Sequence, residues 1–311
     1  MQAAELQTLR QQIAWRKRYD IWFGILGLLA TMVGVLTLVA LFVDLIMDGY
    51  GRLSWQFLTS FPSRRASEAG ILSAWVGTAL VMLVTAAAAI PLGVAAAVYL
   101  EEYAPRNWIT DIIEINVTNL AGVPSIIYGL LALGLFVYLL DFGQSILSAG
   151  LTLALLILPV IIVATREALR AIPIGIREAA YALGASKWQV VSHHLLPYSS
   201  GGILTGIIIG MARAIGETAP VITIGALTFI AFLPPLPFTT DPATGATVGP
   251  FEWLFAPFTV LPIQMFNWVS RPQAAFLENA AATGIVIIIA TLAMNGIAIW
   301  LRYRIRKTIK W

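Results

Sequence analysis

The chain has 311 residues, 59% of them hydrophobic and 11% charged, with a net charge of +3. A soluble domain carries about 25% charged residues, so this is the composition of an integral membrane protein. The absence of cysteine excludes disulfides, thiolate metal sites and cysteine nucleophiles, and two histidines leave little for imidazole chemistry.

Residues 1–20 form a basic cytoplasmic lead in which Trp15 and Tyr19, with Trp22 just beyond, suit the membrane interface while Arg16, Lys17 and Arg18 face anionic headgroups. An uncharged run over 21–43 predicts a first transmembrane helix across 21–46. It exceeds the about 7–15-residue core of a cleavable signal, so its retention is expected. The polar stretch 48–70 lacks periodicity and receives no assignment. Uncharged runs over 71–100, 115–140, 142–165 and 279–301 each reach the ~20 residues that a bilayer requires.

The second run contains Pro91 and Gly93. In the third, Asn116, Thr118 and Asn119 precede Gly122, Val123, Pro124 and Ser125. Proline frees a backbone carbonyl that neighbours must satisfy. One reading is an ordinary kink with small residues for close packing. The other is a half-helix capped by Ser125, whose free N–H groups favour an anion. A tight turn at 141–145 then leads into the fourth span.

Loop 166–197 follows. Residues 178–183 are good helix formers, Gly184 permits a turn, and 185–195 predicts a second short helix with Trp188, Val191 and Leu195 on one face, halted near Pro197. Such a knob suits a groove in a cytoplasmic partner, or else lies flat on the bilayer.

The fifth span, within 203–230, carries Arg213 and Glu217 in otherwise apolar surroundings, with Thr218 and Pro220 next. A charge at the centre of a spanning helix costs about 2.5–3.5 kcal/mol, and such groups usually face a partner or a water-filled path. Arg before Glu is the weaker order for an i, i+4 pair, which favours a functional pair over a structural one. An intramembrane hydrolase using Glu217 with His193 or His194 is a competing reading.

Segment 231–279 is rich in proline and aromatic residues. Its portion 251–269, with Trp253, Phe255, Phe258, Phe266 and Trp268, reads either as an interfacial or re-entrant patch able to meet an external protein or as a lid on the helices. After the sixth span comes a basic tail, 302–311. Lys and Arg concentrate in the lead, the tail and the loops at Arg106 and 166–187, against only Arg52, Arg64, Arg65 and Arg271 on the other side. The positive-inside rule puts both termini in the cytoplasm, and the membrane accounts for the basic excess without a nucleic-acid partner.

The run EAAYALG at 178–184, followed after nine residues by HLLP at 194–197, resembles the coupling loop of ABC importer permeases, with Glu178, Ala179, Ala180, Gly184, Leu196 and Pro197 on the matching positions. His194 stands where those proteins usually have an aliphatic residue. YLEEYA at 99–104, NLAGVPSIIYGLLALGLFV at 119–137, ARAIGETAP at 212–220 and FTVLPIQMFNWVSRPQ at 258–273 are similar to PstA-type permeases of bacterial phosphate transporters. The resemblance implies an all-α membrane protein of the type I importer permease fold, with about six transmembrane helices in all, the first over 21–46 and the others in a transmembrane domain over 71–301.

It further implies a multi-pass subunit of the bacterial inner membrane forming half of a pathway. The implied partners are a second homologous permease, two ATPase subunits, an external phosphate-binding protein, inorganic phosphate and membrane lipid. No phosphate-binding loop of the G-x-x-x-x-G-K-[ST] type occurs, so ATP is expected to be used by the partner subunits, with no cofactor on this chain. Arg213, Glu217, Thr218, Ser125 and Asn119 are the expected pathway residues. A molybdate or sulfate permease is the alternative.

Overall fold

A computed structural model describes residues 2–239 and 247–308, with side chains over 15–239 and 247–304. Pro242 in the 231–279 segment and Lys310 in the tail lie outside the described residues. Among the described residues the architecture is all-helical, with five helices long and apolar enough to cross a membrane and a sixth if one bent pair counts as a single span.

Helix α1 (Gln2–Gly49) runs without interruption through the expected border between lead and first span. It meets its own chain near its end, where Gly49 lies against Ala281 and Ala282, while residues 15–44 are exposed. A single turn (Tyr50–Arg52) and α2 (Trp55–Thr59) follow. The stretch 48–70, without assignment from sequence, is thus structured. Arg52 donates Nε to Asn279 Oδ1 at 2.6 Å and Nη2 to the Ala66 and Ala69 carbonyls, and it lies over the Phe57 ring.

The central layer is α3 (Leu72–Val98), α6 (Ile146–Arg170) and α9 (Leu196–Gly216), with α6 between the other two. Leu153, Leu156, Ile157 and Ile161 of α6 fill the space between Val81 and Val84 of α3 and Met211, Ala214 and Ile215 of α9. Small residues set the spacing: a Cβ on Gly206 would stand 2.3 Å from Ala164 Cβ, so only glycine lets these backbones approach so closely. A π-turn (Tyr99–Tyr103) closes α3.

The third run is not one kinked span. Helix α4 (Trp108–Leu120) and the helical run that begins with α5 (Ser125–Ala132) meet at 107° across residues 121–124. Proline disfavours helical backbone at Val123, and Pro124 itself is extended at ψ 134°, so the chain turns a corner instead of bending. The half-helix reading describes this break better than the ordinary kink, with one correction. Pro124, not Ser125, is the cap residue; Ser125 is already helical and its hydroxyl caps nothing.

The 166–197 segment forms α7 (Ile174–Ala182) and α8 (Lys187–Val190). The second short helix does not stop near Pro197. A π-turn (Val191–Leu195) joins α8 to α9 in one run, Lys187–Gly216. Its wider hydrogen-bond spacing carries the helix past the N–H that proline lacks. Of the expected apolar face, Val191 and Leu195 are buried with Val190, whereas Trp188 projects outward.

The fifth run is also broken. Helix α9 ends at Gly216, Glu217 is extended, and α10 (Ala219–Ile224) terminates on Gly225 at φ +99°. Helix α11 (Leu261–Val269) packs on α12 (Ala275–Thr308), with Trp268 fully buried beside Phe57 and Phe276. The aromatic segment is therefore in large part core: Phe258, Leu261, Ile263 and Trp268 are buried, while Phe251, Phe255 and Phe266 remain exposed.

Candidate functional site

Arg213 lies in the last turn of α9, where the negative end of the helix dipole favours a cation. Glu217 is the first residue beyond it, and its Oε1 accepts from Arg213 Nε at 3.3 Å. The two side chains are 36% and 21% exposed, so the pair is neither locked in a dry core nor in free solvent. The expected placement of both charges inside one spanning helix is corrected: α9 ends at Gly216, so Arg213 lies within the helix while Glu217 stands at the break, in the C-terminal cap position. Thr218 adjoins the pair at the start of α10, its carbonyl accepting from the Val221 and Ile222 amides.

Opposite stands α5. Gly129 meets Pro220 and Thr223 so closely that a Cβ there would be 2.6 Å from Pro220 Cα. Tyr128 donates its hydroxyl to the Leu120 carbonyl at 2.8 Å, across the elbow between α4 and α5. Glu217 also borders a crevice of about 10 Å³ with Thr78, Leu153, Val221 and Val260. That is room for one water and not for a tetrahedral oxyanion. Any larger ligand must meet Arg213 from its open side.

The other two expected pathway residues are placed differently. Ser125 is half-buried one turn before Tyr128 and makes no hydrogen bond to the pair. Asn119 lies in a separate cavity of about 310 Å³ with Glu114, Thr118, Arg166, Glu167 and Arg170. Arg166 is almost fully buried there, paired with Glu114 and 3.5 Å from Glu101, and Arg170 holds Glu101 at 2.8 Å. Sequence spacing gave no sign of this cluster, because its members come from three elements.

The loop motif is presented outward. Glu178, Ala179 and Gly184 are exposed, Ala180 is buried, and Leu196 and Pro197 are half-buried where α9 begins. Gly184 adopts φ +82°, as its turn position demands, and the Gly184 and Ala185 amides close α7 on the Tyr181 and Ala180 carbonyls. Leu183 is 90% exposed at the tip, and Ser186 and Gln189 form a capping box that starts α8. Arg177 of α7 was not singled out by sequence. It donates to Glu102, to the Leu169 carbonyl in the last turn of α6 and to the Ile172 carbonyl just beyond that helix. His193 and His194 sit at this end too; at 1.5 Å per residue, about 35 Å of helix separates them from Glu217, which removes the hydrolase arrangement.

The family model described as "Binding-protein-dependent transport system inner membrane component" matches residues 89–311. The probable ABC transporter permease protein YqgI of Bacillus subtilis is 33% identical over 92% of this chain and 95% of its own length. The phosphate transport system permease protein PstA 1 of Mycobacterium tuberculosis is 41% identical over 72% of this chain and 68% of its own. Among solved structures, a bacterial alginate ABC transporter in complex with its alginate-bound periplasmic protein aligns with TM-score 0.64 at 16% identity, covering 94% of this chain and 97% of that one. This last likeness concerns the fold alone.

Proposed function

The chain belongs to the family of binding-protein-dependent transport system inner membrane components, and from that membership we propose that it is the PstA-type permease subunit of an ATP-driven importer of inorganic phosphate. It contributes half of a transmembrane pathway, the other half coming from a second homologous permease. Two cytoplasmic ATPase subunits engage the exposed tip around Glu178, Gly184 and Leu183, and an external phosphate-binding protein delivers the ion. Both termini lie in the cytoplasm. ATP is bound and hydrolysed by the partners, and this chain carries no cofactor.

The observation that carries the substrate assignment is the Arg213–Glu217 pair at a helix break, open on the side away from its own core. A guanidinium fork binds two oxyanion oxygens and stays charged at physiological pH. At neutral pH phosphate retains a proton, so Glu217 can accept a hydrogen bond from it, and fully ionised sulfate offers none. Thr218 stands by to line the same opening. Ser125 and Asn119 have weaker support, since neither approaches the pair.

The test is uptake of radiolabelled phosphate by the reconstituted complex. Arg213→Gln is expected to abolish uptake while leaving assembly with the ATPase intact. Undiminished uptake in that variant refutes the role of Arg213.

A further inference from the structure

Glu101 and Glu102 are neighbours on the π-turn that closes α3, and π-turns interrupting long helices recur at functional positions. Successive helical residues diverge by about 100°, so the two carboxylates serve different elements. Glu101 takes Arg166 and Arg170 of α6, and the same two arginines hold Glu114 of α4. Glu102 accepts from Arg177 of α7 on one oxygen, Oε1, which takes both Nε, at 3.1 Å, and Nη2, at 2.8 Å.

The Glu102 and Arg177 side chains are only 9% and 17% exposed, although α7 is otherwise largely open on its outer face. Arg177 also donates to the Leu169 and Ile172 carbonyls at 3.0 Å, so one guanidinium grips the turn after α3 and the end of α6 at once. The remaining anchorage of α7 in the body is apolar, through Ala180 and Ile176 against Leu169, Ile172 and Val190. Apolar contacts resist separation but are weak guides of direction; a charge-assisted contact whose guanidinium also holds two carbonyls supplies the direction.

We propose that Glu102 and Arg177 are positioning residues for transport: they form a rigid link that passes movement of α7 through the paired carboxylates of the π-turn to Arg166, Arg170 and Glu114, and so to α4 and the elbow that leads into α5, which packs against Pro220 and Thr223 of α10. The link rests on the reading of the chain as an importer permease whose loop is moved by an ATPase. Each step along it is a charged contact on a different helix, and the last helix ends at Leu120, the residue that Tyr128 holds.

Phosphate uptake and ATP hydrolysis are measured together in proteoliposomes holding the complete complex, for wild type, Glu102→Gln and the exchange E102R/R177E. Glu102→Gln is expected to assemble, to hydrolyse ATP at the wild-type rate, and to move about tenfold less phosphate per ATP, within the range of typical coupling energies. The exchange is expected to recover part of the ratio. An unchanged ratio in Glu102→Gln, or uptake and hydrolysis falling in the same proportion, overturns the link. If Glu102→Gln does not assemble, the exchange decides: restored assembly with a restored ratio supports the link, and any other result with it overturns the link. A wild-type complex that moves molybdate or sulfate and not phosphate refutes the cargo assignment instead, and the ratio measured with that ion still judges the link.

Discussion

The Tyr128 hydroxyl and the Leu120 carbonyl, 2.8 Å apart, join the two arms of a 107° elbow. The carbonyl belongs to the last residue of α4 and also accepts from the Val123 amide at 3.2 Å, so the phenol takes its second acceptor position at the corner. Tyr128→Phe keeps the ring and removes the bond, at a cost of about 1 kcal/mol. A small loss of thermal stability in detergent is expected, with a several-fold drop in uptake rate. Wild-type uptake in this variant shows that the elbow does not need the clasp.

Glu217→Gln tests discrimination. A hydrogen bond to a charged acceptor is worth about 1.5–3 kcal/mol, which corresponds to roughly ten- to a hundredfold in affinity. Sulfate competition against phosphate uptake is expected to strengthen by that order in the variant. Identical competition curves for variant and wild type remove the carboxylate from selectivity.

At Gly184, a Cβ meets nothing within 4 Å, so substitution tests backbone conformation alone. Holding a β-branched residue at φ +82° costs roughly 1–2 kcal/mol or more. Gly184→Val is expected to misplace the Leu183 tip and to reduce retention of the ATPase about tenfold in co-purification. Uptake should fall in parallel, while the helices around Arg213 stay intact by circular dichroism.

Arg52 makes the opposite prediction. Removing it orphans the Asn279 side-chain oxygen and part of the Ala66 and Ala69 carbonyl bonding, at about 1–3 kcal/mol. Arg52→Ala is expected to lower the melting temperature in detergent and the amount of assembled complex, with turnover per surviving complex unchanged. A selective loss of turnover assigns Arg52 to the pathway instead.

The spans and the loop motif were legible because apolar runs and the Glu178–Gly184 pattern are local signals. Pro124 announced a break, but the angle depends on how Tyr128 and Gly129 pack, which spacing does not encode. The end of α9 was legible in part. Thr218 and Pro220 announce a loosening of the fifth span, but that the helix ends at Gly216 shows only in the extended backbone of Glu217 itself. Glu102 and Arg177 stand 75 residues apart and Arg52 and Asn279 stand 227 apart, so no window of sequence could join them.

The 3.3 Å contact between Arg213 and Glu217 bears on leak. A lone guanidinium beside an ion route would hold a standing demand for any small anion, and chloride is abundant. Here the demand is met from within the chain: an intruder must first displace a tethered carboxylate whose local concentration it cannot match. On this reading the vacant route is electrically quiet between deliveries, and only an ion that binds the arginine and also satisfies the carboxylate gains passage.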